Sequence, residues 1–156
     1  MRLRIEKIEA KHIDAVLEIE NASFPSPWTM AMFTQEIDLE YSNCFGLIVD
    51  EVLAAYISSW TVFDECTINK IACRSDLRRR GYSTMLLNHL IQKVCGNSVK
   101  DILIEVRESN NTARAFYKKS GFLIKGLRKG YYSDTKEDAV LMSLDVGKFL
   151  AVSNGR

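Results

Sequence analysis

Three consecutive arginines, Arg78, Arg79 and Arg80, precede Gly81 and a segment with the apolar spacing of a helix. Such a turn can bind an anion, because the first N–H groups of a helix lack intrahelical partners and the helix dipole places partial positive charge there. Gly81 has no Cβ, so an anion can approach its backbone closely. The segment matches neither the GxxxxGK[ST] phosphate loop nor the GxGxxG dinucleotide pattern. The arginines are therefore expected to bind a nucleic acid, to hold a phosphorylated small molecule, or to form a solvated basic turn.

The balance of charges argues against a nucleic-acid-binding protein. The chain has 21 Lys and Arg residues and 20 Asp and Glu residues, which gives a formal net charge of +1. Nucleic-acid-binding domains are usually strongly basic or carry one basic face, whereas acidic residues are interspersed along this whole chain. The arginine run is thus a local feature, and no nucleic-acid partner is expected.

Length, hydropathy and cysteine spacing limit the class of protein further. A chain of 156 residues, 47% of them hydrophobic, fits one domain with a substantial core over residues 1–156. No apolar run approaches the roughly 18–20 residues that span a bilayer, and the charged N-terminus lacks a signal-peptide core. The cysteines are widely spaced and form no CxxC pair, so they are expected to be core residues and not metal ligands: Cys44, Cys66, Cys73 and Cys95. We expect a cytoplasmic protein with neither a metal nor a membrane partner.

Apolar periodicity predicts the element order β-α-α-β-β-β-α-β-α-β-β in one mixed α/β domain. Strands are expected near residues 3–8, 44–50, 52–63, 66–74 and 101–108, with two more after residue 122, and helices near 11–24, 29–39, 82–95 and 109–121. Thr29 and Asn110 are typical of helix starts, and Asp50-Glu51 is typical of a hairpin turn. Residues from about 147 to 156 are expected to form a flexible tail.

The segment RRRGYS, residues 78–83, resembles the pyrophosphate-binding pattern Gln/Arg-x-x-Gly-x-Gly/Ala of the GCN5-related N-acetyltransferase (GNAT) family, which binds acetyl-coenzyme A. Ser83 stands where that family usually has Gly or Ala. Across about residues 3–145, three longer blocks are similar to the family's ribosomal-protein-alanine N-acetyltransferases, the RimI type, and to related archaeal N-terminal acetyltransferases: INKIACRSDLRRRGYSTMLLNHLI, ILIEVRESNNTARAFYKKSGF and RKGYYSDTKEDAVLMSL. The loop FPSPW, residues 24–28, is similar to that group's first interhelix loop. The resemblance implies a GNAT fold, with a mixed, mostly antiparallel sheet that contains a splayed parallel strand pair and is flanked by helices.

The resemblance also implies roles for individual residues. Strand backbone groups would bind the pantetheine arm and the acetyl carbonyl of acetyl-CoA: Ile71, Ala72 and Cys73. The turn and helix start would surround the pyrophosphate: Arg79, Arg80, Gly81, Tyr82, Ser83 and Thr84. Asn110 would contact the cofactor from the start of the next helix. Glu105 aligns with the proton acceptor of the family, and Tyr117 aligns with its proton donor.

These residue types suit acetyl transfer from a thioester. The reaction needs a neutral amine, a polarised carbonyl and a protonated leaving thiolate. A carboxylate can take the amine proton through a water molecule, and a phenol with a pKa near 10 is a proton donor at neutral pH. Taken singly, Glu105 would be expected to face solvent, and Tyr117 to pack in the core beside Phe116. Their spacing within the matched blocks favours the catalytic roles.

A protein N-terminus is the favoured acceptor. A free α-amine is about one-quarter neutral near pH 7.4, whereas a lysine amine is neutral only about one part in a thousand, so a single carboxylate working through water suits the α-amine better. The resemblance implies an N-terminal Ala, Ser or Met, for example on a ribosomal protein. Alternative hypotheses are a lysine or small-molecule acceptor, a nucleic-acid-binding module that uses the arginine run, and a cofactor-binding protein without catalytic activity. Nothing in the sequence demands a dimer.

Two aromatic clusters are expected to line the acceptor groove. Phe24, Pro25 and Trp28 would form one wall, and Tyr131 and Tyr132 the other. Core packing is the alternative for Phe24 and Trp28. If the adjacent tyrosines lie in a strand, they point to opposite faces, so only one of them is expected to contact the acceptor.

Overall fold

The structure, a computed structural model, describes residues 1–154 and has a single seven-stranded sheet flanked by helices. The strands are β1 Leu3–Lys7, β2 Ser42–Val49, β3 Val52–Val62, β4 Glu65–Cys73, β5 Asp101–Arg107, β6 Leu123–Arg128 and β7 Ala139–Asp145. The helices are α1 Ile13–Ser23, α2 Met30–Glu36, α3 Tyr82–Cys95, α4 Asn111–Lys119 and α5 Val146–Asn154, with 3-10 turns at Ala10–His12 and Ser75–Leu77.

The sheet order is β1-β2-β3-β4-β5-β7-β6, and every neighbouring pair is antiparallel except β4 and β5. The parallel ladder is short. It runs from Glu65 opposite Asp101 to Ile68 opposite Ile104 and then stops. The predicted fold class, with its splayed parallel pair in a mostly antiparallel sheet, is confirmed.

Helices cover both faces of the sheet because their apolar stripes repeat every three to four residues. On one face α3 buries leucine and isoleucine side chains such as Leu86 and Leu90 against the inner strands. On the other face α1 and α2 bury Val16 and Phe33 around Tyr56. No helix in the described part of the chain is both long and apolar enough to cross a membrane.

Local sequence signals set several element ends. The Thr29 hydroxyl accepts a hydrogen bond from the Met32 N–H at 3.3 Å, so Thr29 caps α2 as predicted. Asp50 and Glu51 have φ values of 48° and 69°, and these left-handed residues form the predicted tight turn between β2 and β3.

The C-terminal segment differs from the prediction. The flexible tail expected from about residue 147 is replaced by α5, which follows β7 directly. The helix is held because Val146 is buried and because Phe149 and Leu150 pack against the core beneath α3. Residues 155–156 of the predicted tail lie outside the described residues.

Candidate active site

A cleft of about 350 Å³ opens where β4 and β5 stop pairing. The loop between α1 and α2 forms one side of it, and β5, α4 and the loop after β6 form the other. Eight of the residues singled out from the sequence line this cleft: Phe24, Pro25, Trp28, Ile71, Glu105, Asn110, Tyr117 and Tyr132. The fold therefore gathers the predicted catalytic pair and most of the predicted acceptor wall in one cavity.

The predicted pyrophosphate segment lies at the start of α3, outside the lining of this cleft. The first intrahelical bond there runs from the Met85 N–H to the Gly81 carbonyl at 3.0 Å. The N–H groups of Tyr82, Ser83 and Thr84 consequently face out of the helix end. A Cβ placed on Gly81 would meet no atom within 4 Å, so the space in front of these donors is open.

Backbone conformation also suits this turn to binding an anion. Arg79 and Gly81 have φ values of 62° and 81°, and left-handed residues in a turn direct successive N–H groups into a concave nest. The side chains of Arg78, Arg79 and Arg80 are exposed, whereas the Tyr82 ring is buried. Tyr82 can therefore offer only its backbone to an anion at this turn.

Beyond the end of the parallel ladder, β4 keeps its antiparallel partner β3 on one edge and has an open edge toward β5. Ala72 pairs with Tyr56 and Cys73 pairs with Ala55. Because a strand directs its backbone groups alternately to its two edges, part of those from Ile71 to Cys73 face the gap. The Ala72 side chain is buried and burial raises the pKa of the Cys73 thiol, so this stretch presents backbone and not a reactive side chain.

Glu105 lies on β5 at the first position beyond the ladder with β4. Its carboxylate forms an ion pair with the Arg128 guanidinium, Oε1 to Nε 3.0 Å, and 24% of the side chain is exposed. Hydrogen bonding to Glu105 and the negative charge of that carboxylate raise the pKa of the Tyr131 phenol. The carboxylate is thus at the cleft surface and within reach of a water molecule or an amine.

Tyr117 lies on α4 and is almost fully buried. Its ring packs edge-on against Phe116 at 5.1 Å and Phe122 at 5.2 Å, between ring centroids. Burial raises the pKa of Tyr117 above its ordinary value, so the phenol keeps its proton at neutral pH. The Tyr117 side chain therefore packs in the core and also lines the cleft. Asn110 starts α4 by accepting a hydrogen bond from the Ala113 N–H at 3.1 Å, which leaves its amide N–H₂ free to donate.

Comparison with known proteins identifies the family. Residues 13–122 match the family described as Acetyltransferase (GNAT) family. This chain belongs to the GNAT acetyltransferases. Acetyl-CoA is therefore the acyl donor that this GNAT enzyme uses.

Curated relatives of this GNAT chain include ribosomal protein bS18-alanine N-acetyltransferases. The Escherichia coli K12 protein is 33% identical over 144 residues, which cover 91% of this chain and 97% of the relative. The Haemophilus influenzae protein is 33% identical over 142 residues, which cover 89% and 96%.

Solved structures agree with this relationship. The E. coli ribosomal-protein-S18-alanine N-acetyltransferase superimposes with a TM-score of 0.85 at 32% identity, covering 93% of this chain and 94% of that one. Ard1 from Thermoplasma volcanium superimposes with a TM-score of 0.83 at 25% identity, covering 93% and 98%.

A buried carboxylate, that of Glu20, supports one wall of the GNAT cleft and was not anticipated from the sequence. The Glu20 carboxylate is fully buried and accepts a hydrogen bond from the Trp28 N–H at 2.7 Å, and others from the Tyr56 hydroxyl and the Lys70 ammonium. The ammonium also lies 4.5 Å from the Phe24 ring centroid and 4.8 Å from that of Trp28. The aromatic wall is therefore held by the Glu20–Lys70 pair.

The other wall is a loop and not a strand, so the expected division of Tyr131 and Tyr132 between two strand faces does not apply. Tyr132 lines the cleft, and its hydroxyl lies 3.5 Å from the Glu105 carbonyl oxygen. Its ring is held by the Arg107 guanidinium, 4.1 Å from the ring centroid, which itself binds both carboxylate oxygens of Asp134 at 2.9 Å. Tyr131 is half exposed and lies outside the cleft lining.

Glu20, Lys70 and Arg128 are among the residues of the GNAT site that were not anticipated. Glu20 carried a signal, because it falls on the same helical face as Ile13 and Val16, and a carboxylate on a buried face needs a partner. Lys70 and Arg128 carried no such signal, because their partners lie far away along the chain.

Proposed function

We propose that this chain is a protein N-terminal acetyltransferase, which moves an acetyl group from acetyl-CoA to the α-amine of an N-terminal Ala, Ser or Met. The N-terminus of ribosomal protein bS18 is the first candidate acceptor, since the E. coli and H. influenzae relatives are named for its alanine. The observation that carries the proposal is the single cleft that holds Glu105 and Tyr117 between two aromatic walls. A cleft lined by one carboxylate suits an extended N-terminus entering end-on.

Glu105 acts as the general base in this proposal. A carboxylate takes the proton of the α-ammonium through a water molecule, and the neutral amine then attacks the acetyl carbonyl carbon. The 24% exposure of the Glu105 side chain leaves room for that water beside the ion pair with Arg128. Since a free α-amine has a pKa near 7.7–8.0, Glu105 can take its proton more readily than that of a lysine amine, whose pKa is near 10.4.

Tyr117 acts as the general acid. As the new C–N bond forms and the C–S bond breaks, the sulfur of coenzyme A leaves as a thiolate that needs a proton. The buried phenol of Tyr117 retains its proton at neutral pH and can supply it to the sulfur.

The rest of acetyl-CoA extends along the chain from the cleft to α3. The N–H groups of Tyr82, Ser83 and Thr84 and the exposed charges of Arg79 and Arg80 suit a pyrophosphate. The backbone of Ile71, Ala72 and Cys73 suits the amides of the pantetheine arm. Asn110 offers an amide donor from the start of α4.

A mass-spectrometric assay tests the proposal. Acetyl-CoA is incubated with the enzyme and with peptides that have free Ala, Ser or Met N-termini, and with N-blocked peptides that contain lysine. Transfer to the free α-amine alone is the expected result. Glu105→Gln is expected to lower kcat by about 10²–10⁴-fold, whereas Glu108→Gln, which alters an exposed carboxylate just beyond the same strand, is expected to leave the rate unchanged.

Other outcomes would redirect the proposal. Transfer to lysine in the blocked peptides would assign the enzyme to side-chain acetylation. Full activity of the Glu105→Gln variant would remove this residue from the mechanism.

A further inference from the structure

Two buried side-chain polar atoms in the described part of the chain have no hydrogen-bond partner: Ser23 Oγ and Asn69 Nδ2. Both residues line the acceptor cleft. A buried donor without a partner costs free energy, and native structures usually satisfy such groups or use them. Their shared position suggests that a ligand in the cleft supplies the missing bonds once the two side chains turn toward it.

A β-bulge explains how Asn69 reaches the cleft. The pairing of β3 with β4 passes from Ser58 opposite Lys70 to Ser59 opposite Ile68, so Asn69 is the extra residue. Ile68 and Ile71 both pack against the core under α3 although they are three positions apart. Because strand side chains alternate, this is possible only if the bulge absorbs one residue, and Asn69 and Lys70 are then both presented to the cleft.

Ser23 belongs to the opposite element, at the end of α1. The next residue, Phe24, donates its N–H to the Glu20 carbonyl at 3.1 Å, and this bond fixes the chain as it leaves the helix. Ser23 and Asn69 therefore approach the same cavity from two rigid elements, a helix end and a strand. Polar groups on rigid elements are suited to recognising a small group with defined geometry.

The charges nearby are already neutralised. The Lys70 ammonium is bound by the Glu20 carboxylate, so neither offers a free charge to an acceptor. The hydrogen-bonding capacity that remains is uncharged: a donor on Asn69, and a hydroxyl on Ser23 that can donate and accept. The matching ligand group is neutral and has both a donor and an acceptor, as a hydroxyl does.

We propose that Ser23 and Asn69 form a polar subsite that binds the side-chain hydroxyl of a serine or threonine at the N-terminus of the acceptor. The subsite rests on the proposed N-terminal acetyltransferase activity and defines the acceptor class within it. An alanine acceptor, as proposed for bS18, would still enter the cleft and react, but it would leave both groups unpaired. One recovered neutral hydrogen bond corresponds to a preference for Ser over Ala of about three- to tenfold in kcat/KM.

Competition kinetics test the subsite. Two peptides that differ only in a first residue of Ser or Ala are acetylated in one mixture with the whole chain and acetyl-CoA, and their ratio of kcat/KM is read by mass spectrometry. The wild type is expected to prefer Ser about three- to tenfold. Ser23→Ala and Asn69→Leu are each expected to bring the ratio close to one with little loss on the Ala peptide. Ser26→Ala, an exposed serine of the same cleft, is expected to keep the wild-type ratio.

A melting curve separates the subsite from a purely structural role. Removing a buried hydroxyl that has no partner relieves an unmet hydrogen bond, so the Tm of Ser23→Ala is expected to stay level or rise. A wild-type ratio near one, or a preference that survives in both variants, would overturn the subsite alone. An equal loss on the Ser and Ala peptides would show that Asn69 contacts the acceptor main chain, and would also overturn it. Transfer to neither peptide would overturn the proposed function and the subsite together.

Discussion

Lys70→Met tests whether the buried Glu20–Lys70 pair holds the acceptor wall. The Glu20 side chain is 0% exposed and that of Lys70 is 11% exposed. Methionine keeps most of the apolar stem but removes the ammonium, and the carboxylate is then buried without its counter-charge. Breaking a buried ion pair by removing one partner typically costs about 3–5 kcal/mol. The lower end applies here, because the Tyr56 hydroxyl and the Trp28 N–H still donate to Glu20.

The expected loss is therefore about 3 kcal/mol in the free energy of unfolding. For a chain of this size each kcal/mol lowers Tm by about 2–4 °C, which gives a fall of about 6–12 °C. Urea unfolding gives the free energy, and a thermal scan gives the Tm. The KM for the acceptor peptide is expected to rise more than kcat falls, because Phe24 and Trp28 lose the cation between them.

A double-mutant cycle and an exposed control complete the test. Lys70→Met combined with Glu20→Gln is expected to be more stable than Lys70→Met alone, since the amide carries no unpaired charge. Lys129→Met removes a partner of Asp138 at 3.5 Å from a lysine that is 83% exposed, and is expected to change stability by less than about 1 kcal/mol. If Lys70→Met melts within about 2 °C of the wild type, or if Glu20→Gln does not improve it, the buried pair does not support the wall as argued.

Three further changes probe the donor site and the reaction. Gly81→Ala is expected to lower the free energy of unfolding by about 1–2 kcal/mol, because an L-residue is strained at a φ of 81°. The same change is expected to weaken acetyl-CoA binding in calorimetry. An equal effect of Gly96→Ala, at a φ of −79°, would contradict this. Tyr117→Phe is expected to lower kcat by about 10²–10⁴-fold with unchanged acetyl-CoA affinity. In the wild type, kcat is expected to show no loss from Tyr117 deprotonation up to about pH 10, because burial raises the pKa of this phenol. A fall in kcat between pH 8 and 9 that is absent from Tyr117→Phe would refute this expectation. Arg128→Gln is expected to lower the acceptor KM by about two- to fivefold, because the exposed guanidinium competes with the acceptor ammonium for Glu105, and a raised KM would exclude that competition.

Local patterns predicted most of the architecture. Apolar alternation marked the strands. Polar residues whose side chains can cap a helix marked helix starts, as at Thr29 and Asn110. The last helix was missed because local patterns do not determine it. Val146, Phe149 and Leu150 have helical spacing, but the segment is short and follows a strand directly, so its stability depends on a core that only the fold supplies.

The candidate site was likewise predicted only in part. Glu105 and Tyr117 were located through the resemblance of their blocks to a family, and the fold brings them into one cleft. The Glu20–Lys70 contact spans 50 positions along the chain, and no periodicity links two residues so far apart. The same holds for the approach of Arg128 to Glu105, which needs β7 inserted between β5 and β6.

The bulge in β4 also explains why this sheet has a gap at all. Neighbouring strands lie about 4.8 Å apart where they are hydrogen-bonded, and continued pairing of β4 with β5 past Ile68 and Ile104 would leave no room for a substrate. The ladder ends where Asn69 interrupts the regular alternation and Glu105 introduces a carboxylate. The reaction chamber is thus an interruption of secondary structure, and its cost is a set of backbone hydrogen bonds that the strands forgo. A ligand that carries amides would restore some of those bonds, and part of its affinity would then come from completing an unfinished sheet.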